Sequence, residues 1–230
     1  MSTGQRAHAL WLRGADANLL VAIYVVRTGH AQFHTGLYHR DHGDARVLHF
    51  AWDRELCNDA PDDVCKGRDY GLVTVSLDDD DAQTLCALCR LVARRYSVTF
   101  RFRFADWRSR FELSTAEVIP PVLDERYGFT CATFVLAMLR SAAIGELLAL
   151  DQWPVPTPDG TDDRWQKKLV KLLCPTEASP EDVANVLAGI GARRVLPTDV
   201  AGGAMKSRED WPIGFVDARR EGEQITACLP

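Results

Sequence analysis

The 230-residue chain has only five lysines against 22 arginines, and its formal net charge is −5. A general nucleic-acid binder is usually basic, so that class loses ground. No run of about 18 apolar residues occurs, which excludes a spanning helix. There is no GxxxxGK[ST] and no GxGxxG, so nucleotide binding has no support. The N-terminal MSTGQRAHALWLRGADANLL lacks the uninterrupted apolar stretch of a secretory signal, because Arg6, His8, Arg13 and Asp16 interrupt it. The seven cysteines are odd in number and irregularly spaced, unlike a disulfide framework. The expectation is a reduced, cytoplasmic protein, with export through a signal-free secretion system left open. Abundant alanine and the excess of Arg over Lys fit a GC-rich bacterial genome.

What is present is a globular composition. Hydrophobic residues are 47% and charged residues 26%, enough apolar surface to order one core. The apolar, β-branched run Leu19–Arg27 predicts a buried strand. Phe33–Tyr38 and Val47–Trp52 predict two more, joined as a hairpin across Gly43. Polar Asp53–Arg68 reads as a long loop and Tyr70–Leu77 as a strand. Four aspartates, Asp78 to Asp81, precede Ala82–Tyr96, whose Leu85, Leu88, Leu91 and Val92 recur at helical spacing, so one aspartate is expected to cap that helix. Val98–Phe104 alternates as a half-exposed strand, and Tyr127–Gly128 marks a turn. Cys131–Leu148 is strongly helical. Residues 151–163 carry three prolines and read as a linker, followed by helices over Asp162–Leu173 and Ser179–Ile190 and a strand over Ile213–Asp217. The division expected is a domain over 1–150, then a linker and small helical extension over 151–230. Those two parts carry −2 and −3, so charge does not locate a partner site.

All six histidines lie within the first 50 residues. In the expected hairpin, His34 and His49 sit on strands whose side chains can face each other, so one imidazole can fix the tautomer of the other. His39 and His42 read as exposed hairpin residues. Cys131 stands where a helix begins. The helix dipole there stabilises a thiolate below its ordinary pKa of about 8.5. An imidazole can take its proton, and unpaired backbone N–H groups can hold an oxyanion. Cys86 and Cys89 form CALC inside a predicted helix. A zinc knuckle would need a second pair, which Cys57 and Cys65 supply only through long-range folding. No metal and no other cofactor is expected.

The order of HTGLYHRDHGDARVLHF (34–50) and YGFTCATFVLAML (127–139) resembles the permuted papain-like hydrolases, whose histidine strands precede the cysteine helix. That group includes permuted NlpC-type amidases, lecithin:retinol acyltransferase-like enzymes and PPPDE-type peptidases. His34 and His49 are 15 residues apart and Cys131 lies 82 beyond His49. The resemblance spans roughly residues 15–148 and implies an α+β fold, an antiparallel sheet packed on the nucleophile-bearing helix. It implies Cys131 as nucleophile, His34 as general base and His49 as its orienting partner. Cys131's own N–H would serve the oxyanion, with Tyr127 or Tyr24 as side-chain candidates. Thr130 stands where the acyltransferase-like and PPPDE groups usually have Asn, and the acyltransferase-like group's membrane-tethering tail is missing. The function expected is a cysteine hydrolase (peptidase, amidase or isopeptidase) acting through a thioester on an intracellular protein or peptide amide. The alternatives are a thiol acyltransferase and a catalytically inactive interaction module. Oligomeric state is not legible.

Overall fold

The computed structural model describes residues 19–29, 32–51, 55–96, 109–119, 129–158, 160–173 and 180–229. Val98–Phe104, the Tyr127–Gly128 turn and Ser179, where the second helix beyond the linker is expected to begin, lie outside them. The protein is α+β. Strands β1 (Val21–Gly29), β2 (Gln32–Asp41), β3 (Asp44–Phe50), β4 (Leu56–Asp59) and β5 (Tyr70–Val73) form one sheet in the order β4-β3-β2-β1-β5. Every neighbouring pair is antiparallel. Asp41 pairs with Asp44, leaving His42 and Gly43 as a two-residue turn with φ of 50° and 97°. Positive φ at both central positions matches the twist of the flanking strands, and glycine accepts it without a Cβ penalty.

The sheet buries both faces. Ile23, Val25, Leu37, Leu48 and Phe50 pack toward α2 (Asp79–Arg95) and α3 (Cys131–Ser141). Tyr24, Val26, Tyr38 and Val47 pack on the opposite face with Cys65 of α1 (Pro61–Cys65). Asp78 caps α2 by accepting the Asp81 N–H at 2.8 Å, as the aspartate run suggested. Cys86 and Cys89 are buried along that helix. A small ribbon of β6 (Arg110–Phe111) and β7 (Val118–Ile119) lies against α3.

Four expectations need correction. Residues 55–68, expected within a loop, form β4 and α1. The strand expected over Tyr70–Leu77 stops at Val73. Helix α3 stops at Ser141 instead of Leu148. There the Ser141 hydroxyl accepts the Phe111 N–H at 2.5 Å, and Ala143 and Gly145 then turn to φ of 58° and 121°. The strand expected over Ile213–Asp217 is instead the entry to α7 (Phe215–Cys228), with Ile213 making one isolated bridge to Leu148.

Beyond residue 150 come α4 (Thr161–Leu173), α5 (Pro180–Leu187), α6 (Pro197–Ala204) and α7. They share the core of the sheet and α3 through Val170, Val186, Val200, Ala201 and Ile225. The segment read as a linker holds Trp153, which is fully buried and donates its indole N–H to the Arg194 carbonyl at 3.0 Å. Helices α6 and α7 cross so closely that a Cβ on Gly202 would lie 2.6 Å from the Ala218 carbonyl oxygen. Their buried polar joint is Asp199, which accepts two hydrogen bonds from Arg219, at 2.7 and 2.9 Å, and one from the Leu196 N–H. Among the described residues no helix is long and apolar enough to cross a membrane.

Candidate functional site

The hairpin register sets the site. Gly36 lies opposite His49 on β3, so His34, two residues along β2, presents its ring on the same face as His49. The imidazoles meet edge to face, with His34 Nε2 2.9 Å from His49 Nδ1. Gly36 makes this approach possible. A Cβ there would lie 2.7 Å from the His49 Cβ and 2.8 Å from the Leu48 carbonyl oxygen. Strand β4 adds the next member. It pairs Val47 with Asp59, and His49 Nε2 lies 3.2 Å from Asp59 Oδ2.

The three groups therefore form a chain with a defined direction. A carboxylate only accepts, so in a neutral His49 ring the proton sits on Nε2 and Nδ1 carries the lone pair. That lone pair accepts the Nε2–H of His34. The remaining nitrogen of His34, Nδ1, is then unprotonated, and among the described residues no hydrogen-bond partner occupies it. Burial, and secondarily the neighbouring His49, holds the His34 pKa down to about 3, so the ring is neutral near neutral pH.

Cys131 comes from the other side of the cavity. It is the first residue of α3 because Thr130 caps that helix. The Thr130 hydroxyl accepts the Thr133 N–H at 3.1 Å, and the Thr133 hydroxyl accepts the Thr130 N–H at 2.8 Å. The backbone N–H groups of Thr35, Ala132 and Cys131 act on the sulfur and favour its thiolate, yet burial outweighs them and pushes the thiol up to about 11. This reverses the expected lowering. The dipole acts on a group the protein has taken out of water, and desolvation of the anion is the larger effect.

His34, His49, Asp59 and Cys131 all line one cavity of about 830 Å³. Among the described residues no hydrogen bond joins the Cys131 sulfur to the His34 ring. The far wall comes from residues 193–198 after α5, and buried Gln166 of α4 fastens this segment. Its side chain donates to the Ala192 carbonyl at 2.9 Å and accepts the Gly191 N–H at 2.7 Å. Arg194 stacks over Trp165 at 3.9 Å from the ring centroid. The lining carries Lys66, Arg68, Arg193 and Arg194 against Asp59 and Asp63, a basic excess inside an acidic protein.

The structure thus brings His34 and His49 together and sets Cys131 on the same cavity. It does not bring Tyr24 there. That phenol is fully buried on the α1 face, stacks on Tyr70 and donates to the Pro61 carbonyl at 3.2 Å. Tyr127 lies outside the described residues. His42 is exposed as expected, but His39 is fully buried and bonds Asn58 through Nε2 at 2.8 Å. Sequence reasoning missed Asp59, Gly36 and the wall after α5. The alternation of Cys57 and Asp59 two residues apart, and a glycine between strand-borne histidines, were the signals available for the first two. Comparison with protein-family models, with curated proteins and with solved structures finds no match to this chain.

Proposed function

We propose that this protein is a cysteine-dependent hydrolase of permuted papain-like fold, a peptidase, amidase or isopeptidase that forms a thioester on Cys131. One observation carries the reading: the hydrogen-bonded Asp59–His49–His34 chain and Cys131 line the same cavity. His34 Nδ1 takes the Sγ proton as substrate binds, and the thiolate attacks the carbonyl carbon. Of the three backbone N–H groups now acting on the sulfur, those of Cys131 and Thr35 are then free for the oxyanion. The C–N bond breaks, His34 returns its proton to the leaving amine, and water releases the acid and restores the thiol. Because the resting thiol is protonated, activation belongs to the substrate-bound state and not to a standing ion pair. The basic lining favours a substrate bearing negative charge near the scissile bond.

A silent module of the same fold has one feature in its favour, the raised pKa of the thiol. The test is acylation of chelator-treated protein by p-nitrophenyl acetate. A single acetyl group mapped to Cys131, lost in Cys131→Ala and strongly slowed in His34→Ala, supports the hydrolase. Acetylation indifferent to His34, or absent from Cys131, leaves the silent module. Adding a primary amine tells hydrolysis from acyl transfer by the product formed.

A further inference from the structure

We propose that His49, Cys57 and Asp59 form a Zn²⁺ site on the sheet wall, and that its occupation silences Cys131; the second half rests on the catalytic reading above. Strands β3 and β4 set His49 opposite Cys57 and Val47 opposite Asp59, so all three side chains leave one face of the sheet. A ring nitrogen, the thiol sulfur and a carboxylate oxygen lie within 4.8 Å of one another. The Nε2–Oδ2 separation is already 3.2 Å. Two ligands on tetrahedral zinc, with bonds of about 2.0–2.1 Å, stand about 3.3–3.4 Å apart. The sulfur, on a bond of about 2.3 Å, needs to close in by about 1 Å, a side-chain adjustment for a partly exposed cysteine.

The donor set selects the ion. One thiolate, one imidazole and one carboxylate suit Zn²⁺, whereas Mg²⁺ and Ca²⁺ prefer oxygen ligands throughout. Three protein ligands beside a cavity leave a fourth position for water. His49 also has the outer hydrogen bond that metal-bound histidines commonly use, here to His34 at 2.9 Å.

Occupation reverses the direction of the chain. Zinc takes the Nε2 lone pair of His49, so that ring's proton moves to Nδ1 and is donated to His34 Nε2. The His34 proton then sits on Nδ1. Both rings remain neutral, and Cys57 releases one proton to solvent as its sulfur binds. His34 now presents an N–H to the cavity where it had presented a base, and Asp59 is committed to the metal.

The experiment titrates Zn²⁺ by calorimetry into chelator-stripped full-length protein, as wild type, Cys57→Ser, Asp59→Asn and Cys131→Ala, each checked for folding by circular dichroism. Co²⁺ replaces zinc to report thiolate ligation by its absorption. Peptide-mapped labelling by p-nitrophenyl acetate gives the Cys131 rate with and without one equivalent of zinc. The expected result is one site in wild type and Cys131→Ala, with thiolate–Co²⁺ absorption, weakened more than about 100-fold in Cys57→Ser and less in Asp59→Asn. Zinc slows Cys131 labelling at least tenfold in wild type and leaves the rate of Cys57→Ser unchanged. No binding, binding that survives Cys57→Ser but not Cys131→Ala, or a Cys131 rate indifferent to bound zinc overturns the proposal. The catalytic reading fails separately, in metal-free protein, when His34→Ala leaves the Cys131 rate unaltered.

Discussion

On the sheet side of the cavity, His34, His49 and Asp59 are joined by hydrogen bonds of 2.9 and 3.2 Å. On the helix side, Cys131 is governed by its surroundings: backbone N–H groups favour the thiolate, and burial overrules them. The sheet wall holds the His34 ring neutral near neutral pH. On the helix wall, burial favours the protonated thiol near neutral pH. Register builds the imidazole chain, and solvation governs the thiol.

Variants that break one wall and spare the other separate these roles. Removing the sulfur has the largest effect: Cys131→Ala lowers acyl-enzyme formation on the order of 10⁴-fold, read from nitrophenolate release. Asp59→Asn lets an amide N–H face His49 Nε2 and loosens the tautomer. It is expected to slow acylation on the order of 10²-fold while circular dichroism stays that of the wild type. For the helix wall, pH is the probe. With the thiol pushed up to about 11, the thiolate fraction at pH 7 is about 10⁻⁴. Labelling of Cys131 should climb about tenfold per pH unit through pH 9 or beyond, while a free cysteine peptide levels off near about 8.5. A plateau of Cys131 labelling at pH 7 would overturn the account of the helix wall.

Smaller effects test the supports of each wall. Gly36→Ala drives a methyl group into the His49 Cβ and the Leu48 carbonyl. About 1–3 kcal/mol of stability should be lost in denaturant unfolding, together with the dependence of Cys131 acetylation on His34. Thr130→Ala removes the α3 cap for about 1 kcal/mol, and Thr130→Ser restores most of it, both read from thermal melts.

The hairpin and the start of α3 were legible because local chemistry fixes them. His42–Gly43 supplies the two positive φ values of a tight turn, alternation commits the strands, and Thr130 with Thr133 closes a cap that ends in the cysteine. Helices α6 and α7 were not legible. PTDVAGGA has two adjacent glycines and no broad apolar stripe, and it is helical because Gly202 admits the α7 backbone, Gly203 makes room for Leu148 and Asp199 binds Arg219. Asp59 was hidden for a related reason: LCND is too short to announce a strand until β3 pairs with it. The sequence alone placed His34 beside His49 and Cys131 at a helix N-terminus, since turn, alternation and cap act over a few residues. Only the tertiary structure decided that Asp59 completes the chain, that residues 193–198 close the cavity and that the thiol stays protonated, because pairing, packing and desolvation depend on groups distant in the chain.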